Sequence, residues 1–462
     1  MIYVKNYKNK IFYVSILFIL ISISFNFINY AGNKVLFIIF NFSALGLFLT
    51  IIRKNASAFE FFFAVFLLLS FWFKFSCILY FDKIEVKEGN FDLNISNYDR
   101  STIVIIFSFL AFIIGSFLRE LISNIVFKEK KFIIKNYFIL FYKNFRFYIL
   151  FSFVLFLIII YFINFNYKIN NRGAGNENIP ILVQYIFSWL FTYGLSIVTS
   201  IFLYIDYSIY KNNKYLFLGI FETISSNLTI FSRAFFMSIF AYFRGFLYLC
   251  HFKKKNISIV SISKTILPII VLLFLSFHIV TQLRNVNFVK EEFYKPQNSL
   301  NTISEFLSLS INRWVGIDAL LSVSQSENLS FEFLKSSFFE KKQFREGSFY
   351  IDNFYQNFEY TKSENFNVVI TPGLISYLYY TGSVTFVFIS IIIIVLFCSL
   401  IEKLFFLFSA NNQILINIIG YAMAVRATHF GYLPYNTINY FFSIFVTLLL
   451  VYIISLIVWK KY

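Results

Sequence analysis

The chain has 462 residues, of which 59% are hydrophobic, 23% aromatic and only 14% charged, with a mean hydropathy of +0.71. An ordinary soluble domain carries roughly a quarter charged residues, so this composition excludes a disordered chain, a disulfide scaffold and a soluble globular enzyme. The formal net charge of +17, from 40 Lys and Arg against 23 Asp and Glu, would suggest nucleic acid in a soluble protein. Here the charge has another explanation, given below.

Apolar runs long enough to cross a bilayer, about 20 residues each, recur from end to end. They predict an all-α, polytopic integral membrane helical bundle of about 12 transmembrane helices. The first run follows Lys5, Lys8 and Lys10, extends to about residue 28 and lacks a small-residue cleavage site, so it reads as a first span and not as a signal peptide. The first four spans are predicted at 11–29, 34–52, 58–81 and 101–118, and the next four at 147–166, 181–204, 215–231 and 234–250. The seventh and eighth abut at Ser232-Arg233 as a tight hairpin or a partly re-entrant pair. The last four follow at 265–282, 371–400, 412–428 and 437–458. The chain thus divides into helices at 1–282, one long outer loop at 283–370, and helices at 371–462.

With the N-terminus inside, the inner segments hold 21 Lys and Arg against 4 Asp and Glu, and the outer segments 16 against 17. Cytoplasmic loops concentrate Lys and Arg. The basic excess is therefore a topology signal that puts both termini in the cytoplasm, and it removes the nucleic-acid reading. The long loop opens with Ile303, Leu307, Ile311, Trp314 and Leu321 at helical steps, which predicts an amphipathic helix. Its second half scatters Phe and Tyr among Lys and Glu; these rings suit either stacking on sugars or docking on the bilayer.

Several ionisable residues are candidates for chemistry, each with a structural alternative. Arg172 lies in Asn-Asn-Arg-Gly-Ala-Gly, where glycines let backbone N–H groups approach an anion; it also suits a solvated turn. Arg233 lies between two helices, beside a helix N-terminus that favours phosphate, or snorkels to lipid headgroups. Arg284 is a phosphate ligand or a membrane-end anchor. Arg313 precedes Gly316 by three residues, a spacing that lets a ligand or a helix come close. Arg426 and His429 sit near the outer end of the eleventh span, and His429 can take a proton at neutral pH or serve as an interfacial side chain.

Glu222 falls within the seventh span among Thr223, Ser225, Ser226 and Asn227, as a general base, a proton site, or the partner of an arginine such as Arg244. Asp318 is five residues after Arg313, so the two are not an i,i+4 pair. The three cysteines, Cys77, Cys250 and Cys398, fall in or at the ends of apolar runs and read as packed side chains. Three unpaired histidines give no metal site. Several outward arginines point to a polyanionic substrate at the membrane surface, and pyrophosphate on a lipid carrier suits their forked donors.

Three stretches carry a family resemblance: Thr-Ile-Phe-Ser-Arg-Ala at 229–234, Asn-Arg-Trp-Val-Gly-Ile-Asp-Ala-Leu at 312–320, and Thr-Pro-Gly-Leu-Ile-Ser-Tyr-Leu-Tyr-Tyr-Thr-Gly-Ser-Val at 371–384. With about twelve helices and one late outer loop, the chain resembles the Wzy-type O-antigen and capsule repeat-unit polymerases. The Arg-(ten residues)-Gly spacing of some members is absent from the 167–179 loop and from the long loop.

The resemblance implies a GT-C-like fold in the bacterial inner membrane. It also implies metal-independent glycosyl transfer between undecaprenyl-pyrophosphate-linked glycans at the outer face, with no cofactor and with a chain-length regulator as partner. Arg172, Arg233, Arg284, Arg313 and Arg426 are then candidates to hold the leaving pyrophosphate, and His429, Asp318 and Glu222 candidates for the base. The alternatives are an O-antigen ligase using the same donor and a flippase for lipid-linked oligosaccharide.

Overall fold

In the computed structural model, the described residues are 26–53, 56–80, 95–126, 132–170, 179–210, 216–230, 235–252, 314–340, 348–355, 371–431 and 434–461, with a few isolated positions. They form an all-α bundle. In chain order we label α1 Lys34–Ile52, α2 Ala58–Tyr80, α3 Ile95–Val126, α4 Asn136–Tyr167, α5 Ile181–Tyr210, α6 Leu216–Thr229 and α7 Phe235–Phe252. After the first part of the long loop come α8 Ile317–Gln325, α9 Phe331–Phe338, α10 Phe349–Phe354, α11 Leu374–Leu378, α12 Val384–Phe408, α13 Gln413–Thr428 and α14 Asn436–Val458. Seven helices among the described residues are long and apolar enough to cross a membrane: α1 to α5, α12 and α14. The predicted spans at 11–29 and 265–282 lie mostly outside the described residues.

Helix starts follow local chemistry. Ser57 caps α2 through a reciprocal box with Glu60, and the side chains of Asn33, Ser383 and Asn412 accept backbone N–H groups at the starts of α1, α12 and α13. The tenth span differs from the predicted 371–400. Gly382 takes a left-handed conformation, φ 69°, which ends the 3-10 turn Tyr379–Thr381 that follows α11 before the long helix begins at Val384. Residues 371–383 therefore form a separate folded segment ahead of the span.

The loop helix α8 also differs from expectation. Every residue from Ile317 to Ser324 is buried, so this helix has no solvated face. It begins at Ile317, after Gly316, and sits inside the bundle against α3 and α11. A Cβ on Gly316 would lie 2.9 Å from Ser70 Cβ and 3.0 Å from the Phe71 ring, so the close neighbour is the π-helical turn Leu68–Phe73 within α2.

Polar contacts gather at two ends of the bundle. At one, Tyr30 bonds Asp99 at 3.0 Å, Arg100 Nε donates to the Tyr379 hydroxyl at 2.8 Å, and Ser101 meets Ser324 at 2.7 Å. At the other, Arg119 grips Glu60 through Nε and Nη2 at 2.9 and 2.6 Å, and Arg146 meets Asp206 at 2.8 Å. Here too a short antiparallel pair joins β1, Phe132–Ile134, to β2, Trp459–Lys461. That pairing puts the end of the last helix beside the basic 119–146 segment.

Helices also approach one another on glycines, as is common where small residues let membrane helices come close. A Cβ on Gly420 would fall 2.5 Å from Phe59 N, and one on Gly245 would fall 2.6 Å from Ile414 Cα. Both obstacles are backbone. Gly420→Ala is therefore expected to lower stability by about 1–3 kcal/mol through overpacking, read as a fall in the melting midpoint of the detergent-solubilised chain. Gly46→Ala is the control: its new methyl meets only the flexible end of Ile113 at 3.0 Å, so its loss should be markedly smaller.

Candidate functional site

One cavity of about 430 Å³ opens between α9, α11, α12, α13 and α14. That is within the ~300–1,000 Å³ range of small-ligand sites. Its walls are mostly apolar, including Phe338, Tyr377, Ile394, Phe397, Met423, Phe430 and Phe441, and the buried Cys398 also lines it. Two cations face it: Arg426 in the last turn of α13 and Lys335 on α9. Thr437 adds a hydroxyl.

The position of Arg426 follows from the helix it ends. A guanidinium in the last turn is favoured by the partial negative charge of the exposed carbonyls. Its Nη2 donates to Thr437 Oγ1 at 2.9 Å, and its Cζ lies 5.7 Å from the centre of the Tyr440 ring. Its Nε is buried and has no acceptor among the described residues; nor has the Tyr440 hydroxyl. The two unused donors leave the Arg426 neighbourhood short of acceptor oxygens. Burial pushes the Tyr377 phenol up to about 12, so it stands in the wall as a neutral ring.

His429 lies one turn beyond Arg426 and is exposed. Its Nδ1 is 3.2 Å from the Val425 carbonyl. When Nδ1 carries the hydrogen of that bond, Nε2 is the basic nitrogen. His429 does not line the cavity itself.

The other candidates are dispersed. Arg172, Arg233, Arg284 and Arg313 lie outside the described residues. Asp318 is buried and held by Lys74 at 2.8 Å, while Lys74 also donates to the Trp314 carbonyl at 2.9 Å. Asp318 is thus the counter-ion of an intramembrane lysine and does not line the cavity.

Glu222 does not pair with Arg244. That arginine donates to Asn417 and stacks 4.2 Å from the centre of the Phe61 ring, whereas Glu222 is surrounded by hydroxyls. Sequence reasoning missed Lys335, which looked like one more loop charge, and Lys74 as the partner of Asp318. Lys74 was visible as a cation inside an apolar run, but its partner lies 244 residues away.

No group of three or more potential metal-binding side chains occurs among the described residues. The fold and site define a helical membrane protein with an apolar, cation-bearing cavity between its helices. Compared with protein-family models, characterised proteins and solved structures, the chain matches none.

The Lys74–Asp318 pair yields a test. Removing one partner leaves an uncompensated buried charge, which costs about 3–5 kcal/mol. Lys74→Met and Asp318→Leu should each lower the melting midpoint sharply, and the double variant should recover most of the loss. A double variant as unstable as the singles would show that the pair is not the main contact there.

Proposed function

We propose that the chain is a repeat-unit polymerase of the Wzy type, a twelve-span GT-C-like protein of the bacterial inner membrane with both termini in the cytoplasm. It would join lipid-pyrophosphate-linked oligosaccharides at the outer face. The observation that carries this reading is the composition of the cavity: hydrocarbon-lined walls with a guanidinium whose Nε lacks an acceptor. An amphiphile with an apolar chain and an anionic head is the ligand class that satisfies both parts. Apolar surface buries the chain, and the guanidinium donates to phosphate oxygens.

Glycosyl transfer asks for two things. The leaving pyrophosphate needs positive charge as its bond to the anomeric carbon breaks, and Arg426 and Lys335 supply it in this reading. The attacking sugar hydroxyl needs a base. His429 suits that role better than Asp318 or Glu222, because it is exposed one turn from Arg426 while both carboxylates are buried among other partners. The transport alternative draws its support from those same buried groups, since intramembrane ionisable residues often mark a pathway.

Deleting the gene and separating the cell's surface glycans on a gel tests the reading. The long ladder should collapse to a core bearing one repeat unit, and the wild-type gene should restore it. Arg426→Gln should slow chain extension by about 10–100-fold, the equivalent of a lost charged hydrogen bond of ~1.5–3 kcal/mol. Arg426→Lys should retain an intermediate rate, because lysine keeps the charge without the fork. His429→Gln should reduce extension while leaving lipid binding intact. A ladder unchanged by deletion overturns the polymerase reading, and loss of the single-unit band as well points to a flippase or ligase.

A further inference from the structure

The arrangement around Glu222 carries an inference independent of the Arg426 cavity. Its carboxyl is buried where α4, α5, α6 and α7 meet. Ser226 Oγ lies 2.9 Å from Oε1, while Tyr242 Oη and Ser196 Oγ lie 3.0 and 3.1 Å from Oε2. Thr223 Oγ1 stands further off, at 3.4 Å, and gives its hydrogen to the Gly219 carbonyl at 2.8 Å. Tyr161 closes the cage from α4, bonding Ser226 Oγ at 3.3 Å and the Glu222 carbonyl at 3.2 Å. The titratable groups facing the carboxyl are thus two tyrosines, Tyr161 and Tyr242. Among the described residues no Lys, Arg or His pairs with it.

Counting hydrogens decides the state of this cage. Tyr242 Oη makes two short oxygen–oxygen contacts, one with the Ser196 carbonyl at 2.9 Å and one with Glu222 Oε2 at 3.0 Å. The tyrosine has one hydrogen, and a carbonyl has none to give. If the tyrosine hydrogen goes to Ser196, the contact with Oε2 lacks one. If it goes to Oε2, the contact with Ser196 lacks one. Both contacts are full two-centre hydrogen bonds only when Oε2 itself carries a hydrogen; without it the one tyrosine hydrogen has to be shared as a weaker three-centre bond. A buried carboxylate without a counter-cation is also strongly disfavoured in an apolar interior.

We propose that Glu222 is a proton-binding site in the membrane interior: Oε2 holds the proton and donates it to Tyr242 Oη, which donates in turn to the Ser196 carbonyl. Ser196 lies two residues after the end of the π-helical turn Leu190–Gly194 of α5. Loss of the proton would require Tyr242 to turn its hydrogen from that carbonyl to the carboxylate, so the occupancy of the site is tied to the bonding of α5 at an irregular turn.

Infrared difference spectroscopy on the full-length chain in nanodiscs tests this. The wild-type minus Glu222→Gln spectrum at neutral pH should show the C=O stretch of a neutral carboxylic acid. Raising the pH in wild type should convert that band to carboxylate bands in one step. Tyr242→Phe should keep the neutral band and move it to higher frequency, because the acid loses its acceptor. This variant also reads the site should Glu222→Gln fail to fold. Carboxylate bands for Glu222 at neutral pH would overturn the proposal. So would a neutral band that Tyr242→Phe does not move, or one that added sodium removes at fixed pH, which would make the cage a cation site.

Discussion

The ion pair between Lys74 and Asp318 joins a helix of membrane-spanning length to a helix that the sequence puts in a loop, and much of the architecture around the cavity depends on it. An ammonium inside an apolar bundle needs an anion and carbonyl oxygens at hand. Lys74 finds both within the predicted long loop: the Asp318 carboxylate and the Trp314 carbonyl. This anchors α8 against α2, with Gly316 pressed on the π-helical turn. The next segment is fixed in turn, since the Ser330 N–H donates to the Tyr380 carbonyl at 2.9 Å and Ser324 meets Ser101 of α3. From there α9 is carried to the wall of the cavity.

The cavity itself is bounded mainly by aromatic and aliphatic side chains of helices distant in sequence, and its polar character comes from few groups. Arg426 is kept in place by the end of its own helix, by Thr437 and by the Tyr440 ring, an arrangement that leaves its buried Nε without an acceptor among the described residues. A guanidinium so held is ready to meet an incoming anion with little reorganisation. The backbone beyond Arg426 is fixed as well: the Gly373 N–H donates to the Phe430 carbonyl at 3.0 Å, which ties the turn after α13 to the turn before α11. The site therefore sits on helix ends that brace each other and not on a free loop.

The helices were legible because hydrocarbon imposes a single-residue signal, and any uninterrupted run of apolar residues reports it. The predicted span 34–52 coincides with α1, and 437–458 lies one residue inside the start of α14. What failed was where local patterning met a tertiary constraint. The run beginning at residue 371 looked continuous because apolar and aromatic residues recur through it, yet Gly382 breaks it. The periodicity around 303–321 looked amphipathic, yet the helix from Ile317 onward is buried on every side, with Asp318 meeting Lys74 and Ser324 meeting Ser101 and Asn97. Partnerships were illegible because they cross the chain: nothing near Glu222 announces Tyr242 or Ser196. Of the arginines marked for phosphate, Arg426 is the one placed by the described residues, and its value lay in its context at a helix end.

The buried carboxylates show two ways of keeping an acid inside this bundle. Glu60 and Asp206 meet arginines, Asp318 meets a lysine, and Glu402 accepts the backbone N–H groups of Ala58 and Phe59 at 2.8 and 2.7 Å. Each of those partners is a fixed donor, so each arrangement is specific for the anion and would be broken by a proton. Glu222 alone among these five is enclosed by hydroxyls, which donate or accept as required. Such a cage tolerates both states of the acid by turning O–H bonds, with no charged partner to move. The same property that makes serine, threonine and tyrosine weak at fixing a charge makes them suited to a site that gains and loses one. The chemical difference between Glu222 and its four buried counterparts is thus written in the donors around it.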